Sequence, residues 1–199
     1  MQEKNIISEF FFEINLYLEK LKYGENVSIT LINPLFSNYY YDFLKTNMPF
    51  FKNSIPTVDG FNSGHVLKSL LKEEEEMLEF KFFRFLIFEE IDGKKTRIIG
   101  DIVLFDIDNI NFISANIGYK LDKDFEGRGI ITFFLSKIIP FAFESLGIHR
   151  LIAEILPEND KSLKIINKFK FLCEGISRKN LQIANKWRDH LRFSLIRNS

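Results

Sequence analysis

Asn116-Ile-Gly-Tyr-Lys-Leu-Asp-Lys-Asp-Phe-Glu-Gly-Arg-Gly-Ile-Ile-Thr132 decides the fold. It reads as a strand, a turn with glycines at 127 and 129, and the start of an apolar helix. Two closely spaced glycines let backbone N–H groups turn inward together and let another group approach closely. A helix that begins directly after them adds unpaired donors and the positive end of its dipole. Such a turn suits a phosphate or pyrophosphate. It also serves simply to reverse a chain, so the surrounding sequence has to decide.

Downstream come Phe141-Ala-Phe-Glu-Ser-Leu-Gly-Ile-His-Arg150, Glu158-Asn159-Asp-Lys-Ser162, Phe171-Leu-Cys-Glu-Gly175 and Trp187-Arg-Asp-His-Leu-Arg-Phe-Ser-Leu195. In this order and spacing the chain resembles the GNAT acetyltransferases, and most of all their ribosomal-protein (Rim-type) serine/alanine branch. The resemblance is clear over roughly residues 97–197, weaker over 27–96, and does not cover 1–26.

Residues 10–20 and 27–33 are strand-like about a turn-rich break at Lys22-Tyr-Gly-Glu-Asn26, which predicts a hairpin. A first helix over 6–21 is the alternative. Residues 1–26 are therefore taken as an N-terminal extension packed on a domain spanning 27–199. Helices are expected over Leu35–Thr46, Ser63–Leu78, Gly129–Leu146 and Asp160–Phe169, with Met48-Pro-Phe-Phe51 as a loop. Strands are expected over Phe80–Glu90, Arg97–Asp106, Phe112–Leu121, Leu151–Leu156, Phe171–Ile176 and Leu191–Ile196, with a turn at Asp92-Gly93. Pro140 predicts a kink or a local break in a helix apolar nearly all round. The pattern gives an α/β (α+β) domain: a mixed, mostly antiparallel sheet with helices on both faces. The resemblance adds splayed central strands.

Lys plus Arg and Asp plus Glu both total 27, so the charge balance points to neither nucleic acid nor an anionic membrane. No apolar run is long enough to span a bilayer. The opening residues lead into Glu9, Glu13 and Glu19, unlike a secretory leader. Cys173 is the only cysteine, which fits a reducing cytoplasm, and it is expected to be a buried core thiol. The oligomer is left open between monomer and homodimer. Twenty-three phenylalanines imply an aromatic core. Glu73–Glu76 reads as a solvated helix face, with no ligand-like histidine pattern to make it a metal site.

The resemblance implies acetyl transfer from acetyl-coenzyme A to a primary amine, in a ternary complex without a covalent enzyme intermediate. The acceptor it implies is the N-terminal α-amine of a protein. A small amine such as an aminoglycoside or polyamine, and a non-catalytic coenzyme A-binding module, are the alternatives. By resemblance, N–H groups of Glu126, Gly127, Arg128, Gly129, Ile130 and Ile131 hold the pyrophosphate, and Thr132 adds a hydroxyl. Glu126 departs from the usual Gln or Arg, so its carboxylate should point away or pair with Arg128. Tyr119 and Leu121 lie on the strand facing the pantetheine arm, and the Leu121 N–H polarises the thioester. Asn159 contacts the pantetheine amide, and it also suits the helix N-cap. The tyrosine that many relatives use on the leaving thiolate is replaced by Ile166, so Ser162, one turn earlier, takes that role. Glu154 is the first choice as general base, with an ordinary paired glutamate as the alternative. Phe50 and Phe51 are assigned to the acceptor, or else staple a helix to the core. Lys170 stands where a glycine is usual, so that turn differs or carries strain. Asp189 and His190 fix the last strand rather than react.

Overall fold

The computed structural model describes residues 2–56, 61–108, 110 and 113–197. Eight strands form one sheet. They are β1 (Lys22–Tyr23), β2 (Val27–Leu31), β3 (Phe83–Ile91), β4 (Lys94–Asp108), β5 (Ser114–Leu121), β6 (Arg150–Ile155), β7 (Leu172–Ile183) and β8 (Lys186–Ile196). Their order is β1-β2-β3-β4-β5-β6-β8-β7, and every pairing is antiparallel except β5 with β6. Helices α1 (Gln2–Glu19), α2 (Ser37–Phe51), α3 (Ser63–Leu78), α4 (Ile130–Glu144) and α5 (Asp160–Lys168) complete the fold. The parallel pair requires a crossover, and α4 supplies it.

Strand parity assigns the two faces. Arg84, Asp101 and Lys120 share one face and meet Tyr40 of α2 and Glu73 of α3. Phe83, Phe85 and Tyr119 share the other, where Phe11 of α1, Phe141 of α4 and Ser162 of α5 lie. The sheet is therefore covered on both sides, as its composition requires. Phe83, Phe85, Phe88 and Phe134 are fully buried, and Phe10, Phe11, Phe80, Phe83 and Phe141 stack or meet edge to face. Offset and edge-on ring pairs add about 0.5–1.5 kcal/mol each beyond their buried area. The phenylalanines thus build the core.

Three expectations are corrected by tertiary packing. Residues 10–19 belong to α1 rather than a strand, because Ile14 and Leu18, one turn apart, bury against the sheet. Only Lys22–Tyr23 makes the hairpin with β2. Met48–Phe51 is not a loop but the last turn of α2. Tyr40, Phe43, Asn47 and Phe51 are buried on one face, and that stripe carries the helix past Pro49. A proline so near the end removes one hydrogen bond and has little helix left to disturb. Cys173 is exposed on the edge strand β7, not buried.

The last two strands, expected over Phe171–Ile176 and Leu191–Ile196, run longer as a hairpin of β7 and β8, while other boundaries hold more closely. Ser63–Leu78 is helical throughout, capped by the Asn62 side chain. α4 continues through Pro140 without a break and buries eight of its side chains. Asp92 and Gly93 both take positive φ, 51° and 71°, as a tight hairpin turn needs. The β7–β8 turn uses Ala184 and Asn185 at φ 48° and 60°. Lys170 takes φ 60°, so the turn keeps a glycine-like geometry with a strained residue in it. The start of the expected strand at Phe112 lies outside the described residues.

Candidate functional site: a split in the sheet beside a helix N-terminus

β5 and β6 pair at only three positions, Ser114 with Arg150, Ala115 with Leu151 and Asn116 with Ile152. Beyond Asn116 the two strands part, while β5 stays paired to β4 as far as Leu121. The split leaves one edge of β5 unpaired. Which groups face it follows from the ladder. The Asp122 N–H donates to the Ile99 carbonyl at 2.7 Å, on the β4 side. Successive residues of a strand point their N–H and C=O groups to opposite sides. Leu121 and Tyr119 therefore aim theirs away from β4, into the gap that β6 leaves.

Directly after Leu121 the chain makes a short 3₁₀ turn, Lys123–Phe125, capped by the Asp122 carboxylate on the Asp124 N–H. Gly127 and Gly129 then adopt φ 73° and 82°. Gly129 is the N-cap of α4 and offers no side chain to its first turn. Among the described residues, no backbone or side-chain acceptor takes an N–H group from Gly127 to Thr132. Six unclaimed donors and the positive end of the helix dipole thus follow one another beside the split, as an anionic group needs. The turn is braced from outside. Tyr23 of β1 donates to the Arg128 carbonyl, and the Phe125 ring lies between the guanidinium groups of Arg97 and Arg128, at 5.0 and 4.7 Å.

The Glu126 carboxylate pairs with Lys161 of α5 rather than Arg128, and the Glu126 N–H, expected to hold the pyrophosphate, instead donates to the Lys123 carbonyl at 3.4 Å and closes the 3₁₀ turn. Arg128 instead donates to the Asp124 carbonyl at 2.6 Å. The Lys161 ammonium also lies 5.5 Å from the Phe50 ring centre, so Glu126, Lys161 and Phe50 link the glycine turn, α5 and the end of α2. The carboxylate at 126 is thereby paired with a cation, which offsets its charge beside an anion.

α5 flanks the split on the Tyr119 face. Its N-cap is Asn159, whose side-chain oxygen accepts from the Ser162 N–H at 3.1 Å. The Tyr119 hydroxyl donates to the Ser162 carbonyl at 3.3 Å, and burial pushes its pKa up to about 12. Tyr119, Asn159 and Ser162 are thus brought together as expected. Ile166 is buried, so it offers no hydroxyl to the site. Glu154 sits two residues past the last β5–β6 pair, on the opposite face of the sheet. Its Oε1 accepts from Ser177 at 3.1 Å and from Arg192 at 3.0 Å, while Oε2 is buried with no hydrogen-bond partner. That arrangement holds the group in place and leaves one lone-pair edge for a further donor.

Phe50 remains 40% exposed at the end of α2, whereas Phe51 is 4% exposed and packs on Phe43. Only Phe50 can meet a ligand; Phe51 is the staple. Asp189 accepts from the Lys179 N–H at 2.8 Å and His190 is buried, so both brace β7 and β8. Glu73 is not solvated: both its oxygens bind Arg84 at 2.8 Å. Asn47, Asp122, Lys161 and Arg192 carry no motif that marks them in the sequence. Each acts through a partner 35 or more residues away, which only the folded chain reveals.

Residues 58–172 fit the acetyltransferase (GNAT) domain family model. The chain belongs to the GNAT family. Among curated GNAT relatives it is 36% identical over 123 residues to the probable N-acetyltransferase YjcK of Bacillus subtilis, covering 62% of this chain and 66% of the relative. It is 27% identical over 100 residues to the ribosomal protein uS5-alanine N-acetyltransferase of Escherichia coli, covering 50% and 52%. The matches thus span between half and two thirds of these relatives. The ribosomal-protein-S5-alanine acetyltransferase of Vibrio fischeri superposes with a TM-score of 0.83 at 25% identity, over 90% of this chain and 97% of that one. The microcin C7 self-immunity acetyltransferase MccE, solved with acetyl-CoA and AMP, shares the GNAT fold at a TM-score of 0.77 and 20% identity, over 87% and 94%.

Proposed function

We propose that this GNAT protein transfers acetyl from acetyl-coenzyme A directly to the N-terminal α-amine of a protein. The observation that carries the proposal is the adjacency of two sets of unclaimed N–H groups. Those from Gly127 to Thr132 suit the pyrophosphate, and those of Tyr119 and Leu121 face the gap in which the pantetheine arm and thioester would lie. Glu126 drops out of the set, since its N–H already donates to the Lys123 carbonyl and its carboxylate is held by Lys161. The Asn159 amide NH₂ is the end of that side chain left to meet the pantetheine, its oxygen being spent on the cap.

The chemistry follows from what each group can do. The Leu121 N–H donates to the thioester carbonyl and stabilises the charge that builds there as the amine attacks. Such a donor commonly contributes a hundredfold or more to the rate. Ser162 lies beside Tyr119 on α5 and donates its hydroxyl to the departing thiolate. Glu154 lies on the sheet face opposite Tyr119, and its Oε2, buried and without a partner among the described residues, would take the amine proton through water. An α-amine has a pKa near 7.7–8.0 against about 10.4 for lysine, so it is neutral far more often at pH 7 and needs only a weak base. The names of the uS5-alanine relative and the Vibrio fischeri neighbour support an acceptor of this kind. A polyamine acceptor loses its one structural argument, because Glu73 of the acidic run is committed to Arg84.

The test is release of free coenzyme A thiol with a peptide panel. Peptides with a free N-terminal Ser or Ala should be acetylated. N-terminally blocked copies carrying lysine should not. Equal labelling of the blocked peptides, or activity on aminoglycosides alone, overturns the protein-N-terminus reading.

A further inference from the structure

α2 touches the end of β5 at two points, one on each side of Leu121. Tyr40 and Asn47 are seven residues apart, two helical turns, and so project from one face. Lys120 and Asp122 are two residues apart in an extended segment and also share a face. Tyr40 meets Lys120, whose ammonium donates to the tyrosine oxygen at 3.1 Å. The Tyr40 hydroxyl donates in turn to Asp101 at 2.5 Å, and Asp101 stands directly opposite Lys120 in the β4–β5 ladder. Arg84 closes the cluster by binding Asp101 and, through two bonds, Glu73 of α3.

Asn47 meets Asp122. Its Nδ2 donates to the Asp122 carboxylate at 3.2 Å and to the Phe43 carbonyl at 3.1 Å, and its Oδ1 accepts from the Lys123 N–H at 3.2 Å. Asn47 and Asp122 are 1% and 3% exposed. Leu121 is thus fixed by neighbours that are each tied to the same helix. Its own backbone polar groups face the gap and hold no partner among the described residues.

We infer that Tyr40 and Asn47 are positioning residues for the reaction: through Lys120 and Asp122 they aim the Leu121 N–H into the split. The inference rests on the proposed role of Leu121 as donor to the thioester carbonyl. It gives α2 a task beyond packing, because the same helix carries Phe50 at its end beside Lys161 and the glycine turn. A shift of α2 when an acceptor meets Phe50 would then be felt at the thioester. Donors of this kind must be held within about 0.5 Å and 10–20° to be effective.

The cluster ties α2 firmly to β4 and β5, so the two move together. Burial alone would raise the Asp101 pKa, but Lys120, Arg84 and the Tyr40 hydroxyl outweigh it and hold the carboxyl below its ordinary value. Asp101 therefore stays ionised and keeps its grip on Tyr40 and Lys120. Breaking one partner out of such a buried set leaves an uncompensated charge, which is why the gentlest substitutions make the best test.

Two kinds of readout test the inference on the intact chain. Asn47→Asp is isosteric and still accepts from the Lys123 N–H, but sets a second carboxylate against Asp122. The swapped pair N47D/D122N restores a donor facing an acceptor with the roles reversed. In the single variant, kcat should fall at least tenfold with KM for acetyl-coenzyme A changed less than threefold, and the Leu121 amide resonance should move in the ligand-free protein. The swapped pair should recover a large part of both. Tyr40→Phe keeps the ring, removes the hydroxyl, and should move the Leu121 resonance and lower kcat in the same direction even if Asn47→Asp fails to fold. A folded Asn47→Asp with wild-type kcat, or a Leu121 resonance indifferent to both single changes, overturns the inference alone. A wild-type Leu121 resonance that ignores saturating acetyl-coenzyme A overturns the donor role, and the inference falls with it.

Discussion

Gly129→Asp separates cofactor binding from folding. Gly129 sits at φ 82°, and a Cβ there would meet only the Tyr23 hydroxyl oxygen at 3.5 Å, an ordinary contact. The cost is backbone strain, about 1–2 kcal/mol for a residue with a Cβ in the left-handed region. An aspartate at the N-cap regains part of it, because its carboxylate accepts from the free N–H groups of the first turn of α4. That same carboxylate then occupies the place of the ligand's phosphate. For a chain of this size about 1 kcal/mol corresponds to 2–4 °C in Tm, so the ligand-free variant should melt within about 2–8 °C of the wild type. Acetyl-coenzyme A at about 100 times its Kd stabilises the wild type by about 2.7 kcal/mol, a rise of about 5–11 °C. In the variant the rise should be below about 1 °C. Paired thermal melts with and without acetyl-coenzyme A give the answer. A variant that keeps the full wild-type rise refutes the assignment of the pyrophosphate to the Gly127–Thr132 amides.

Two further outcomes are expected. Ser162→Ala should lower turnover roughly tenfold to a hundredfold, about 1.4–2.8 kcal/mol, and cofactor affinity much less, because its hydrogen bond matters most as charge gathers on sulfur; steady-state kinetics with wild-type turnover would leave Ser162 as part of a helix cap only. Tyr119 ties a stability loss to alkaline pH: its folded pKa is raised from 10.0 to about 12 by burial, so its contribution, on the order of 2–3 kcal/mol, is full below pH 10 and disappears as pH rises from 10 through 12. Denaturant titrations between pH 9 and 12 should show that loss, and Tyr119→Phe should remove it.

What the sequence made legible was local. The glycine turn and the α4 start announce themselves because φ, capping and dipole are properties of a few adjacent residues. Asn159 as an N-cap and Asp92-Gly93 as a hairpin turn belong to the same class. The split between β5 and β6 left only a faint mark, since it uses main-chain groups that every residue has. The N-terminal helix was obscured because Phe10, Phe11 and Phe12 favour a strand by propensity, and only burial of Ile14 and Leu18 against the sheet settles the period. The same override carries α2 through Pro49, which by local rules should end it. Hidden altogether were the bonds that cross the fold. Asn47 to Asp122 joins residues 75 apart, and Lys161 to Glu126 joins residues 35 apart. Glu126 looked like an obstacle in the sequence; its lysine partner, one residue before Ser162, resolves it.

The most direct measurement follows the acetyl group itself. Isotope-labelled acetyl-coenzyme A is mixed with the protein and a peptide bearing a free N-terminal alanine, and both are weighed by intact-mass spectrometry over time. One labelled acetyl group should arrive on the peptide α-amine in step with coenzyme A release, while the protein's own mass never changes, with or without peptide. A protein that binds acetyl-coenzyme A yet leaves every amine unlabelled would contradict catalysis, and an acetylated enzyme that then passes its label to the peptide would contradict direct transfer.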